Sequence, residues 1–562
     1  MADPIVPNNQ HNVYAHRLKQ VPVMLQSSTS HLATALRLCV LLCCLGGGTA
    51  GVAKELQLTQ ASIPQLSAAM DAGTLSSERL VQAYLDRIAA YDQQGPSLNT
   101  VMHLNPDALR RARELDEERR VSGPRSPMHG IPVVIKDNLD TADMPTTAGS
   151  FMLAGSLPPD DAYVVKKLRD AGAIIIAKLN LSEFASGGAL NSLGGVIANP
   201  HHLGRTPSGS SGGTGAAIAA GFASMGLGTD TGGSVRGPSS ANGIVGLKTT
   251  HGLLSRDGVV PLALSFDTVG PMTRSVTDLA VALGVMTGVD PADESTQKSI
   301  NKFYTDYSQF LQSDSLSGAR IGVARVFMND DGEVDWLVES ALQSMRDAGA
   351  TVVDVEFPEW LLKSRGNFYR AIRYPEFKAQ IADYLATLEG NYPRDLEGLI
   401  AKAMTLNAKR DDGVIPNPSR WSLMRKEVEA TDLMGFEYRA VKSHALPLVA
   451  ETIAGLMKDN NLDAIVYPTA SSPAELIERP AGTSEPGSGG SPVILANLSG
   501  FPDLILPIGF TGRGMPVTLS MLGTAFSEPT LIGLAYALEQ RLQAIRLPIH
   551  TPPLAGDTLE TE

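Results

Sequence analysis

Gly130-Ile-Pro-Val-Val-Ile-Lys-Asp-Asn138 opens the stretch that decides the fold. Val133–Ile135 is a short β-branched run, a helical pattern follows at Tyr163–Asp170, and Ala173-Ile-Ile-Ile-Ala177 is a second apolar run. Continuous apolar strands interleaved with helices indicate a sheet covered on both faces. Further outward, strand-like runs stand at Ile321–Ala324, Val352–Val355, Ala464–Val466, Leu504–Ile508 and Val517–Leu522. The expectation is an α/β chain built on one large mixed, mostly parallel twisted sheet. Toward the N-terminus, Ser62-Ile-Pro-Gln65 reads as a capping box with Pro in the first turn, and Gly73 supplies the stop. Leu80, Tyr84, Leu85 and Ile88 then recur at helical spacing, and Asn105-Pro106 opens another helix.

The chain has 562 residues, 46 Lys+Arg against 59 Asp+Glu, and 43% hydrophobic residues. That balance suits a globular protein and excludes a disulfide-rich miniprotein or a disordered acidic tail. A formal charge of −13 argues against nucleic acid as the main partner. All three cysteines, Cys39, Cys43 and Cys44, lie in the apolar run Leu38–Leu45, behind Arg37 and ahead of the small residues Gly46–Ala53. This pattern describes a secretory signal cleaved near Ala53, and the competing reading is a buried N-terminal helix. The run is too short to span a bilayer, which takes roughly 20 apolar residues. Residues 1–53 are therefore expected to be signal and extension, and 54–562 a single periplasmic or secreted domain without membrane attachment. Signal removal would leave no cysteine, and so no disulfide, thiolate nucleophile or Cys-ligated zinc. Residues 360–440 hold ten aromatic side chains. They suggest a helical layer, part of a variable segment at about 290–460 that caps a substrate pocket. Arg479–Ser491, rich in Gly, Ser and Pro, reads as a mobile loop.

Glycine and serine concentrate between 187 and 246, where 17 of 60 positions are glycine. Pro207-Ser-Gly-Ser-Ser-Gly-Gly213 leads into a helical stretch, and Gly228-Thr-Asp-Thr-Gly-Gly-Ser-Val-Arg236 carries Asp230 and Arg236 within it. Apolar segments flank both clusters, so a linker is a poor explanation. Glycine in a packed core lets backbone approach backbone closely, and consecutive exposed N–H groups can hold an oxyanion. Gly246-Leu-Lys-Thr249 lacks the adjacent Gly-Lys of a phosphate-binding loop. Gly209–Gly213 fits Gly-x-Ser-x-Gly, but His201–Pro207 is a poor strand to precede a nucleophile elbow. No His-Glu-x-x-His occurs, His201-His202 reads as a loop, and no histidine has a distinctive context. Lys136 remains, at the end of a β-branched strand where a buried ammonium would be costly unless paired or neutralised.

Together these pieces resemble the amidase signature family of serine hydrolases. The resemblance rests on His129–Asn138, Lys178-Leu-Asn-Leu-Ser-Glu-Phe184, Pro207–Gly213, Gly228–Arg236, Gly243–Lys248, Asp267–Met272 and Phe501–Pro507, in the family's order. It covers roughly 56–545 and is weakest at 290–460; Gly252–Gly258 looks most like bacterial peptide amidases. The resemblance implies Lys136 as base, Ser210 as bridge after a cis Gly209–Ser210 peptide, and Ser234 as nucleophile. It also implies oxyanion donors on the backbone of Thr231, Gly232, Gly233 and Ser234. Ser186, Gly187 and Gly188 would edge the acyl pocket, with Ser211, Asp230 and Arg236 in support. The implied activity is hydrolysis of carboxylic amides through an acyl-enzyme, without metal or cofactor, by a monomer or homodimer. Peptide C-terminal amides, aryl or alkyl amides and related esters are the candidate substrates. The alternatives are a glutaminase subunit of a tRNA-dependent amidotransferase, a non-catalytic relative and a histidine-dependent hydrolase.

Overall fold

A computed structural model describes residues 54–477 and 492–561, all within one compact unit, Ala53–Glu562. The N-terminal stretch read as a signal, with its three cysteines, and the Arg479–Ser491 stretch lie outside the described residues. An 11-stranded sheet dominates. From one edge to the other its strands are Thr351–Asp354, Arg320–Val323, Ala464–Pro468, Pro516–Leu522, Asp503–Phe510, Val245–Lys248, Thr268–Thr273, Met225–Asp230, Pro132–Lys136, Ile174–Leu179 and Val101–Leu104. Helices pack on it, as the apolar runs required. The direction of the strands differs from expectation. Four neighbouring pairs run parallel and six antiparallel. An apolar run shows that both faces are covered, but it carries no information on strand direction.

Local signals are realised closely in the N-terminal helices. Ser62 caps Ile63–Asp71 with both halves of the capping box, and Gly73 follows at φ +74°. Ser77–Tyr91 and Ala108–Ser122 are the next two helices. The segment 290–460 is not uniformly helical. Arg320–Val323, the helix Gly332–Asp347 and Thr351–Asp354 form a strand–helix–strand unit on the sheet edge. Helices 359–387, 396–403, 418–428 and 446–459 make the aromatic-rich layer. Its side chains form two apolar clusters, one around Ile372, Tyr438 and Ile453 and another around Phe184, Phe377 and Leu399.

Candidate active site

Pro132–Lys136 lies between Ile174–Leu179 and Met225–Asp230, parallel to both, so Lys136 ends a central strand. Its Nζ donates to Ser210 Oγ at 2.6 Å and to Thr229 Oγ1 at 2.7 Å. The side chain is fully buried and forms no ion pair among the described residues. Burial pushes its ammonium down to about 7, against weaker upward pulls from Asp230 and Asp267. The uncharged amine is thus within reach at neutral pH. Lys178 is equally buried but is ion-paired with Asp137 at 3.2 Å. Lys248, which burial also pushes down to about 7, spends its donors on the Thr249 and Phe501 carbonyls. Of these three buried lysines, Lys136 alone meets a serine.

The Gly209–Ser210 peptide bond is cis. The Ser210 carbonyl accepts the Ser182 N–H at 3.0 Å. Ser211 N–H donates to the Ser234 carbonyl at 3.2 Å, and Ser211 Oγ donates to the Thr229 carbonyl at 3.2 Å. The two serine clusters are therefore stitched together through their backbones. The half-buried Ser234 hydroxyl makes no hydrogen bond among the described residues. Lys136, Ser210 and Thr229 form one connected set, and Ser234 stands beside it without a side-chain link.

Asp230 organises the turn that carries Ser234. Its carboxylate accepts from Gly233 N–H at 2.8 Å, Val235 N–H at 3.0 Å, Arg236 Nε and Nη2 at 3.0 Å each, and Asn497 Nδ2 at 2.9 Å. Burial alone would raise this carboxyl, but Arg236 and these hydrogen bonds hold it well below the usual carboxylate range. Arg236 reaches on to Asp503 at 2.9 Å. One expected oxyanion donor is corrected here: the Gly233 N–H is consumed by Asp230, which leaves those of Thr231, Gly232 and Ser234. Glycine at 233 is required on two counts. Its φ is +115°, and a Cβ there would lie 2.7 Å from Val493 Cγ2.

The surroundings include residues that sequence reading passed over. Thr231 Oγ1 donates to Asp267 Oδ1 at 2.5 Å, and Asp267 Oδ2 accepts Leu262 and Ala263 N–H. Tyr369 stacks on Phe266 with ring centroids 5.4 Å apart, and its hydroxyl would meet a Cβ on Gly232 at 2.8 Å. Arg373 Nη2 donates to Ser186 Oγ at 2.8 Å, while the Gly187 carbonyl would lie 3.1 Å from a Cβ on Gly209. Ser186, Gly187 and Gly188 thus adjoin the Ser210 turn. Thr229 had no readable signal, because its strand, Met225–Asp230, carries two glycines and does not read as a strand. Tyr369 was among the aromatics of the expected cap but not distinguished from them, and Arg373 had no signal, because both reach the site from a helix well over a hundred residues further along the chain. Three of the described histidines are engaged away from this site. His129, His201 and His251 bond the carbonyls of Leu115, Asn242 and Leu264.

The family model described as Amidase matches residues 79–532. A glutamyl-tRNA(Gln) amidotransferase A-chain component from Microcystis aeruginosa is 36% identical over 493 residues, covering 85% of this chain and 97% of that one. A probable amidase of Arabidopsis thaliana is 33% identical, covering 87% and 91%. Among solved structures, the native peptide amidase of Stenotrophomonas maltophilia superposes with a TM-score of 0.79 at 38% identity, covering 88% of this chain and 99% of that one.

Proposed function

This chain belongs to the Amidase family and is an amide-hydrolysing enzyme; from that premise we propose a histidine-free Lys–Ser–Ser relay that forms an acyl-enzyme on Ser234. The neutral Lys136 amine takes the Ser210 proton, and Ser210 takes that of Ser234. The Ser234 oxygen attacks the amide carbonyl, and the oxyanion is received by N–H groups of Thr231, Gly232 and Ser234. The tetrahedral intermediate collapses as the proton returns through the relay to the departing amine. Water then cleaves the ester by the reverse path, giving acid plus ammonia or amine. The observation that carries this reading is the 2.6 Å bond from a buried Lys136, without a carboxylate partner, to Ser210. For Ser234 the path needs its free hydroxyl to turn toward Ser210, a tightening that substrate binding commonly supplies.

We further propose peptide C-terminal amides or aryl and alkyl amides as substrates, with the chain acting alone after export. The likeness to a peptide amidase over nearly its whole length supports the peptide-amide reading. A second reading, the glutaminase component of an amidotransferase, is favoured by the 36% identity to the Microcystis protein. A hydrolysis screen of the purified chain across peptide, aryl and aliphatic amides separates the two. Turnover of those amides without companion proteins supports the first, and glutamine turnover that requires them supports the second. N-terminal sequencing of the periplasmic or secreted protein tests export, with a start near Lys54 expected.

A further inference from the structure

A cavity lies on the side of the cap helices, built between the 3₁₀ turn at Phe151–Leu153, Glu183 and the helix Pro418–Val428. Its volume is about 160 Å³, roughly ten times what one water needs. Met152, Met404, Leu406 and Met424 give it an apolar body. Its polar groups have been spent unevenly. Glu183 accepts four hydrogen bonds, from Ser150 Oγ, Ser192 Oγ, Ser192 N–H and Asn417 Nδ2, and so has no free lone pair. Arg420, 3% exposed, gives only Nη1 to Glu427, leaving Nε and Nη2 without an acceptor. The buried Trp421 Nε1 is likewise unpartnered. Every unused polar atom named here is a donor, and two belong to a guanidinium fork whose geometry suits a carboxylate. Waters on these donors would leave four apolar side chains facing water, whereas an anion with a short apolar tail satisfies both parts of the lining.

We propose that this cavity binds a small organic carboxylate, its oxygens held by Arg420 and Trp421 and its short apolar tail packed against the methionines. The volume admits a few heavy atoms and excludes the body of a peptide. The site is independent of the Ser234 reading. Calorimetric titration of the full chain with butyrate tests it, with the neutral isostere 1-nitropropane as control. Because butyrate could also enter the catalytic site as a product, the same titration is run on Ala403→Phe. That substitution fills the cavity from a partly exposed helix position and spares the Arg420 pairing. Saturable one-site binding is expected, weakened at least about tenfold in Ala403→Phe and in Arg420→Gln, and at least about tenfold weaker for 1-nitropropane. No saturable binding, undiminished binding in a folded Ala403→Phe, or equal affinity for 1-nitropropane would overturn the proposal.

Discussion

Three lysines are buried at or next to strand ends in this fold, and partner chemistry separates them. Lys178 has a carboxylate besides the Thr146 hydroxyl and Lys248 has two carbonyls, whereas Lys136 has two hydroxyls and no ion-paired carboxylate. A base must shed its proton to work, and burial brings Lys136 to about 7. The rate of Ser234 acylation, read as kcat/KM, is therefore expected to rise with pH and level off above a midpoint near 7. Lys136→Ala should lose both that rise and nearly all turnover. Ser234→Ala should abolish turnover with an unchanged melting temperature. Gly233→Ala places a side chain in a left-handed conformation and against Val493. It is expected to cost on the order of 1–3 kcal/mol of stability and most of the activity, checked by thermal melting and initial rates. Lys136 was legible because a β-branched run ended in a cation. Its coupling to Thr229 was not, because strand pairing brings the two together.

At the scale of elements, the strands rich in branched aliphatics announced themselves, and three central glycine-bearing ones, Met225–Asp230, Val245–Lys248 and Thr268–Thr273, did not. Met225–Asp230 runs through the sheet's interior with Gly226 and Gly228 in it. A Cβ on Gly226 would lie 2.6 Å from Thr214 Cγ2, because the helix Gly212–Ala219 presses directly on this strand. Close packing of the helix that follows Ser210–Ser211 on the strand that precedes Ser234 thus erases the hydrophobic signal by which a strand is recognised. Gly226→Val should overpack this contact, costing about 1–3 kcal/mol in a denaturant titration and lowering turnover by displacing the Ser210 turn. The cap helix Glu359–Thr387 was legible as an aromatic-rich helical element. That its Tyr369 and Arg373 reach Gly232 and Ser186 was not, since residues this distant in sequence meet only through the completed fold.

Across the whole molecule, Arg236 ties the centre of the sequence to its end. Asp230, Asn497 and Asp503 converge on its guanidinium, and Tyr467 donates to Asp503 at 2.8 Å. Arg236→Met would strand two buried carboxylates and is expected to destabilise the chain by about 3–5 kcal/mol, read from a denaturant titration. Elsewhere burial raises the Asp278 carboxyl to about 6 and that of Glu539 to about 7. Acids raised in this way favour the fold while protonated, and their contribution is lost as pH climbs from about 4 to about 7. The double variant Asp278→Asn, Glu539→Gln should therefore gain melting temperature relative to the parent as pH rises through that window, and not below it. The proposed relay requires the base and the nucleophile to act together. The most direct measurement is the pH dependence of labelling by a fluorophosphonate, with the modified residue located by mass spectrometry. The label should fall on Ser234 at a rate that climbs through a midpoint near pH 7 and collapses in Lys136→Ala. Labelling of another residue, or an unchanged rate and profile in that variant, would contradict the Lys–Ser–Ser relay.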